Sequence, residues 1–224
     1  MSDTLALVRL LQLASPSLPV GAYSYSQGLE AAIESGDVHD AASAHRWIAS
    51  VLSLSVAGME APVFLRIAEA WISNDFASAA RWNDEFIASR ETAELRAETL
   101  QMGYSLRKLL AGMEPDGAAS LESFDEISFP AAFAFGAVRA EIEPREALAA
   151  FLFAWAENQA LAALKAMPLG QTDGQKLLRE VAREIPALVD RAATVADDEL
   201  ANFAPGLALA ASRHETQYSR IFRS

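Results

Sequence analysis

The sequence predicts an all-α protein, a single-domain bundle of about eight to ten helices over residues 1–224. Apolar residues recur at intervals of three and four in nearly every segment, which is the spacing of a helix that buries one face. No segment alternates apolar and polar residues for long enough to form a strand. Proline and glycine fall between the periodic segments or in a first helical turn, where proline is accepted.

In the first half of the chain, capping residues and breakers predict where each helix begins and ends. Ser24 and Gln27 stand three residues apart and predict a capping box that opens a short helix. Arg90 and Glu94 are predicted to attract each other on one face of a later, polar helix. The predicted segments are, in order, an amphipathic helix around Leu5–Leu11, a short helix over Gln27–Ser35, a helix from Asp40 to Gly58, a helix opened by Pro62, a helix capped by Asp75, and a polar helix over Glu91–Leu110.

In the second half, the alanine-rich stretch from Arg145 to Met167 predicts a central helix, because alanine lets helix axes approach closely. Its apolar circumference requires either that other helices wrap it or that a second copy of the chain covers part of it. The other predicted segments are an exposed connection over Met113–Glu126, a helix opened by Ser128 and Pro130, a helix over Gln175–Thr194 bent or interrupted near Pro186, a polar connection over Asp197–Pro205, and a helix over Gly206–Ser212.

Composition limits the classes of partner and compartment. The formal net charge of −12 argues against a nucleic-acid partner, since phosphate binding relies on clustered Lys and Arg. Cysteine is absent, which permits a reducing compartment such as the cytoplasm and excludes thiolate chemistry. The first residues lack the basic start of a signal peptide, and the longest apolar run, Ala147–Ala156, is too short to span a bilayer. We therefore expect a protein without a membrane segment.

No catalytic, cofactor or metal constellation emerges from the residue spacings. His39 and His45 are six residues apart, which does not align two ligands on a helix, and His214 is distant from both. The segment Gly170–Lys176 lacks the glycine spacing and the ending of a phosphate loop, so it predicts a turn between two helices. Histidines brought together by dimerisation remain an open possibility.

Two segments carry more information than a helical bundle requires. The first is Ser15–Glu30, SPSLPVGAYSYSQGLE, whose prolines and glycines predict a defined turn. Its plainer interpretation is a capped loop with tyrosines in the core. The second is Arg213–Ser224, a basic end on an acidic chain, in which Tyr218 and Phe222 lie four apart on one possible helical face. Arginine and aromatic residues are enriched at interface hot spots, so this tail docks either on a partner or on its own domain.

Four segments together resemble the family of the urease accessory protein UreF: SPSLPVGAYSYSQGLE, SRET with QMG at residues 89–103, PLGQTDGQ from Pro168 to Gln175, and the final RHETQYSRIFRS. The resemblance implies an all-α, non-catalytic protein that forms a cytoplasmic homodimer and holds no tightly bound cofactor. It also implies that the dimer binds UreD, also called UreH, and recruits the GTPase UreG, which helps to deliver nickel to apo-urease. The alternative is a helical enzyme or metal-binding protein with a carboxylate and histidine site.

The resemblance also implies three sets of site residues in this chain. Lys165 would offer an exposed ammonium to an acidic partner, which suits electrostatic recognition. Whether the chain activates, restrains or only positions the GTPase stays open. The GTPase-facing set is Lys165, Pro168, Gly170, Gln171 and Gln175; the UreD/UreH-facing set is Arg213, His214, Glu215, Gln217, Tyr218, Arg220, Phe222 and Arg223; the structural signature is Pro19, Gly21, Tyr23, Ser24, Gly28 and Glu30.

Overall fold

Helices form the regular secondary structure of the computed structural model, which describes residues 4–113, 117 and 119–224. No strand occurs among these residues, and one continuous apolar core joins the helices, so the predicted all-α bundle is confirmed. The helices are α1 (Thr4–Leu13), α2 (Leu29–Glu34), α3 (Ala41–Val51), α4 (Ala61–Ile72), α5 (Phe76–Ala88), α6 (Ala93–Met113), α7 (Phe129–Arg139), α8 (Pro144–Ala166), α9 (Gln171–Ala182), α10 (Ile185–Ala192) and α11 (Pro205–His214).

The predicted break at Gly58 is wrong, because a π-helical segment over Leu52–Glu60 joins α3 and α4 into one rod. Pro62 has no N–H to donate to the carbonyl four residues earlier, which belongs to Gly58. The backbone N–H of Ala201 takes that place and donates to Gly58 O over 3.1 Å. A side chain at Gly58 would not fit, since a Cβ there would lie 2.4 Å from Ala201 O. A distant segment therefore replaces the hydrogen bond that proline removes.

The alanine-rich helix α8 is central, as predicted. It packs against α1, α2, α3, α4, α7, α9 and α10, so other helices wrap much of it. On its inner side Phe151 lies 5.2 Å from Phe64 and 5.3 Å from Phe133, measured between ring centroids. Contacts of this kind contribute about 0.5–1.5 kcal/mol each beyond burial. Phe153 and Leu161 on the same helix remain exposed.

Two further boundaries differ from the sequence predictions. The connection over Met113–Glu126 is not wholly exposed: Leu121 and Phe124 are buried, and Phe124 O accepts a 2.7 Å bond from Arg107. Residues 114–116 and 118 of that connection lie outside the described residues. The helix predicted over Gln175–Thr194 begins earlier, at Gln171. It is interrupted near Pro186, which was one of the two predicted alternatives, and Pro186 occupies the first turn of α10.

Two helical rods in the described part of the chain have the length and apolar composition of a membrane span, namely Ala41–Ile72 and Pro144–Ala166. The most apolar window of the first is 78% buried inside the molecule, as in a core helix, and that of the second is 50% buried. The unbroken apolar runs in the sequence are short. Single polar residues interrupt those runs without ending the helices, so the helices contain longer apolar stretches than the runs indicated. Their apolar length serves the bundle core at least in part.

Candidate functional site

The signature segment Ser15–Glu30 forms a turn whose backbone requires glycine at two points. Gly21 has φ +80° and Gly28 has φ +77°, both in the left-handed region that favours glycine. Gly28 is also crowded, because a Cβ there would lie 3.0 Å from the backbone nitrogen of Ala211 in α11. Pro19 and Tyr23 are exposed on the outer side of the turn, whereas Glu30 is buried. The turn thus brings the start of α2 against α11.

The predicted Ser24–Gln27 capping box is wrong. Ser24 belongs to a 3-10 turn over Ala22–Ser24, and α2 begins only at Leu29, with Gly28 before it. The Oγ of Ser26 instead accepts a 3.3 Å bond from the Glu30 N–H. The predicted range Gln27–Ser35 is therefore longer than the observed helix at both ends.

Gln27 has a tertiary role in place of the predicted cap. Its backbone has φ +52°, and its side chain accepts a 2.8 Å bond from Trp155 Nε1 of α8. Its Nε2 donates a 2.7 Å bond to Glu98 Oε1 of α6. Because the indole donates to one end of the amide, the other end must present its N–H to Glu98. One side chain of the signature thus connects α8 with α6.

The tail, Arg213–Ser224, packs on its own chain. The Arg223 N–H donates to Ser24 O and the Ser26 N–H donates to Ser224 O, each over 2.8 Å. Phe222 and Ser224 are buried, being 5% and 2% exposed. The sequence left open whether the tail docks on a partner or on its own domain. In the structure it docks on its own domain.

The predicted helical face shared by Tyr218 and Phe222 is wrong. Helix α11 ends at His214, and the residues after it run without helix along the signature turn and α6. Tyr218 is fully exposed while Phe222 is buried, so the two rings point to different environments. Bonds from the chain to Glu30 hold this extended path: the backbone N–H groups of Ile221 and Phe222 donate to its carboxylate over 2.7 and 3.0 Å.

His214 anchors the start of the tail. Its side chain is fully buried, with Nδ1 2.6 Å from Glu94 Oε2 and Nε2 3.2 Å from Glu30 Oε2. A carboxylate only accepts hydrogen bonds, so both contacts form together only when both ring nitrogens carry hydrogen. Arg220 pairs with the other oxygen of Glu94. The tail therefore supplies the His214 ring and the Arg220 guanidinium to the acidic residues of α2 and α6.

Glu98 lies buried beneath the end of the tail. Its Oε2 accepts a 2.7 Å bond from the Ser224 hydroxyl, opposite the bond from Gln27. Burial raises the pKa of Glu98 to about 7, and the nearby carboxyl of Glu60 raises it as well, while the bonds from Ser224 and Gln27 and the charge of Arg90 lower it. Around neutral pH this carboxyl is therefore divided between its acid and carboxylate forms.

Glu60 and Arg90 line a cavity of about 100 Å³ next to Glu98. Burial raises the pKa of Glu60, and Arg90 opposes that shift with its Nη1 3.7 Å from Glu60 Oε2. The predicted Arg90–Glu94 helical pair is wrong, because α6 begins at Ala93 and Arg90 lies outside it, turned towards Glu60. The Nε of Arg90 is buried and makes no hydrogen bond. The guanidinium contributes charge here more than hydrogen bonding.

Lys165 lies where the signature and the tail meet. It is exposed at the end of α8, and its ammonium donates a 3.3 Å bond to Tyr23 O. The same nitrogen is 5.6 Å from the ring centroids of both Tyr23 and Phe222, which is cation–π range. The residue assigned to one partner surface therefore contacts the tail assigned to the other.

The rest of the GTPase-facing set lies between α8 and α9. The predicted turn over Gly170–Lys176 is shorter than expected, because α9 already begins at Gln171 and includes Gln175. Gly174 allows α9 to pack on α8, since a Cβ there would lie 2.5 Å from Leu164. The exposed members of the set are Pro168, Gly170, Gln171 and Gln175.

The remaining tail residues lie on the surface or partly so. Glu215 accepts a 3.3 Å bond from the Glu94 N–H, and Arg223 lies 3.5 Å from Gln101 of α6. Gln217 donates to Ser219 O within the tail, and Arg213 is exposed. Of the predicted UreD/UreH-facing set, only His214 and Phe222 are buried.

Metal coordination has no ready-made ligand set in the described residues. No group of three or more His, Asp or Glu side chains there is arranged to hold a metal ion. Glu30, Glu94 and His214 are close together, but their bonding atoms are directed at one another and at tail donors. Sequence reasoning missed Glu98 as a buried group. The available signal was that Glu94 and Glu98 lie four residues apart on one helix face. Two like charges at that spacing repel each other unless cations from other parts of the chain lie close to them.

Comparisons with known proteins place this architecture in a family. The sequence profile of the UreF family matches residues 38–182, more than half of the chain. The urease accessory protein UreF of Azoarcus sp. (strain BH72) is 54% identical over 225 residues, covering 98% of this chain and 96% of the relative. The proteins of the same name from Methylobacillus flagellatus and Dechloromonas aromatica are 52% and 50% identical, with full coverage of both chains. The chain belongs to the UreF family of urease accessory proteins.

Proposed function

We propose that this chain is a non-catalytic scaffold of urease maturation, which joins UreD/UreH and the GTPase UreG in the complex that delivers nickel to apo-urease. The family, and relatives that are themselves named urease accessory proteins, support a role in urease maturation. The scaffold works in the cytoplasm as a homodimer, and nickel passes through the pathway without becoming a tightly bound cofactor of this chain.

The observation that carries the proposal is the tail surface, which we define as the side chains of Tyr218, Arg220 and Ile221. Tyr218 is fully exposed and Ile221 is 63% exposed, although the backbone beside them is fixed by bonds to Glu30. An exposed aromatic and arginine on an ordered segment make a good interface anchor, because little conformational freedom is lost on binding. We assign the tail surface to UreD/UreH.

The second surface is the exposed end of α8 with the start of α9, which we assign to UreG. Lys165 supplies the cation there, and Gln171 and Gln175 supply exposed amides. The bond from Lys165 to Tyr23 O limits the freedom of the ammonium and fixes its position. Since Lys165 also faces Phe222, the two partner surfaces adjoin.

The homodimer uses an apolar face. Leu7, Val8 and Leu11 on α1 are 48%, 56% and 63% exposed, and α1 packs beside the central helix α8. Contiguous exposed apolar surface of this kind marks an interaction site. We propose that a second copy of the chain covers it, together with the part of α8 that the other helices leave exposed.

Light scattering coupled to size-exclusion chromatography tests the scaffold. The chain alone should elute as a dimer, grow on addition of UreD/UreH, and grow again with UreG and a GTP analogue. Ile221→Asp should abolish the first addition, because a charge would replace an apolar contact. Ile72→Asp is the matched control, since Ile72 is similarly exposed, at 55%, but lies at the end of α4. Equal loss in both variants, or in neither, would remove the assignment of the tail surface.

The UreG arm of the same experiment uses Lys165→Glu. It should weaken recruitment of UreG and leave the dimer intact, whereas Lys108→Glu, a charge reversal at an exposed site on α6, should have no effect. Because Lys165 also contacts the tail, binding of UreD/UreH is measured in parallel. Normal UreG recruitment by Lys165→Glu would refute the assignment of this surface. GTP hydrolysis recorded on the assembled complex shows whether the scaffold alters the rate.

A helical enzyme or metal-binding protein remains the rival proposal. It predicts turnover without partners, or one tightly bound nickel ion per purified chain. Within residues 4–113, 117 and 119–224 no metal-ligand group supports it. The scaffold is the better supported of the two.

A further inference from the structure

Two backbone hydrogen bonds hold the end of the tail against the signature turn, and both form only when the tail is docked. The Arg223 N–H donates to Ser24 O, and the Ser26 N–H donates to Ser224 O. The hydroxyl of Ser26 reaches the same Ser224 carbonyl. Each bond joins the tail to the signature turn across nearly the whole length of the chain. Exchange of the Ser26 and Arg223 amide protons therefore reports directly on whether the tail is docked.

Glu98 forms the floor of this seat, and the tail helps to exclude water from it. The Ser224 hydroxyl lies 2.7 Å above one carboxyl oxygen, and Ser224 itself is only 2% exposed. Gln27, held in place by Trp155, donates to the other oxygen. Removal of the tail would open Glu98 to solvent while leaving the Gln27 bond in place.

The charged groups around Glu98 come from each packed element. Glu60 of the α3–α4 rod and Arg90 before α6 line the same cavity as Glu98 and act on its carboxyl. Tyr25 of the signature interacts electrostatically with Glu98, and Arg223 of the tail hydrogen-bonds to Tyr25. At the start of the tail, the groups are Glu30, Glu94, His214 and Arg220.

We propose that these groups make the tail seat a proton-sensitive latch, in which the acid form of Glu98 favours the docked tail and the carboxylate form favours its release. The acid form keeps both hydrogen bonds. Its carbonyl oxygen accepts from Gln27, and its hydroxyl donates to Ser224 Oγ, which can accept. The carboxylate form places a charge in a water-excluded seat next to the carboxyl of Glu60. The cost of burying that charge outweighs the bonds from Ser224 and Gln27, which by themselves favour the carboxylate.

The direction of the pH dependence follows from the difference in the pKa of Glu98 between the docked and the released tail. The docked pKa of Glu98 is about 7, above its ordinary value of 4.5, and exposure of the carboxyl to water on release of the tail lowers it towards that value. Docking is therefore strongest below the ordinary pKa, weakens as the pH rises towards the docked pKa, and levels off above it.

The latch is a property of this chain alone and goes beyond the proposed function. Only its effect on partner binding rests on the proposed function. If the tail surface binds UreD/UreH, a change of pH close to neutrality alters how much of the tail is held ready for that partner. The test below uses the chain alone. A failure of partner binding would therefore leave the latch standing, and a failure of the latch would leave partner binding standing.

The test is hydrogen exchange resolved to the Ser26 and Arg223 amides, corrected for the intrinsic pH dependence of exchange. In the native protein, protection at both amides should fall roughly tenfold or more between about pH 5.5 and about pH 7.5, as the shift in the pKa of Glu98 requires. In Glu98→Gln the side chain keeps its shape and stays uncharged, so most of this fall should disappear. Glu85→Gln, at an exposed position on α5, should behave like the native protein.

Constant protection in the native protein over that range would overturn the latch, and so would an equal fall in Glu98→Gln. If Glu98→Gln does not fold, as judged by circular dichroism, Ser224→Ala serves instead, because it removes only a hydroxyl at the edge of the seat. Ser224→Ala should lower protection of the Ser26 amide at every pH and keep the direction of the pH dependence. Unchanged protection in Ser224→Ala would show that the contact with Glu98 does not hold the tail.

Discussion

His214 is a fully buried side chain whose two ring nitrogens both face carboxylates, Glu94 at 2.6 Å and Glu30 at 3.2 Å. In sequence it is an isolated histidine in a basic segment, with no partner at a ligand spacing. Its partners lie in α2 and α6, more than a hundred residues earlier. The sequence therefore marks His214 only as a candidate site residue. The fold brings Glu30 and Glu94 to it, and these two carboxylates decide its role.

We predict that His214→Ala lowers the free energy of unfolding by about 3 kcal/mol or more, because it leaves a cavity and takes a hydrogen-bond partner from Glu30 and Glu94. Urea denaturation followed by circular dichroism measures the change. His39→Ala is the control, since the His39 side chain is 65% exposed and contacts only its own turn. A loss in His214→Ala no larger than in the control would show that the cluster does not contribute to stability.

Helix α6 shows how a single element depends on its neighbours at one point and not at another. Gly103 lies against the segment before α7, and a Cβ there would lie 2.1 Å from Ile127 O. Gly112, in the last turn of the same helix, has nothing within 4 Å of an added Cβ. Helix propensity treats the two glycines alike, so only tertiary packing distinguishes them.

We predict opposite effects for alanine at these two positions. Gly103→Ala should destabilise by about 2 kcal/mol or more, since the backbone of residues 127–128 must move. Gly112→Ala should stabilise by a few tenths to about 1 kcal/mol, because it reduces the freedom of the unfolded chain. Thermal unfolding of both variants measures the difference. Destabilisation of equal size in both would mean that the close approach at Gly103 is not limiting.

At the scale of the whole molecule, the tail closes the bundle against its own opening segment. Phe222 is 5% exposed, and it packs beside the signature turn and Lys165. Deletion of Arg213–Ser224 would therefore remove part of the core and leave Glu30 without its backbone donors. Truncation is for this reason a poorer test of partner binding than point substitutions on the tail surface.

We predict that Phe222→Ala lowers the free energy of unfolding by roughly 3–5 kcal/mol, the usual range for a buried phenylalanine. Ile221→Ala, one residue earlier but 63% exposed, should change it by no more than about 0.5 kcal/mol. Calorimetry of the two variants makes the comparison. Comparable losses would mean that the tail does not separate into an anchoring side and an exposed side.

Most helices could be predicted from the sequence because their signals are local. Proline in a first turn, Asp40 and Asp75 as caps and the spacing of apolar residues all act within a few residues. The break predicted at Gly58 failed for a nonlocal reason, since Ala201 supplies the hydrogen bond that Pro62 cannot. The capping box at Ser24 failed likewise, because Gln27 is held by Trp155 and Glu98.

The sequence by itself determined the all-α class, the central position of α8, the family, and the two segments of interest, because periodicity, alanine content and motifs are written along the chain. Only the tertiary structure decided that the tail sits on the signature, that Lys165 joins the two, and that Glu98 is buried between them. Burial and the pKa shift that it causes depend on which distant residues exclude water. That information is absent from the spacing of residues along one chain.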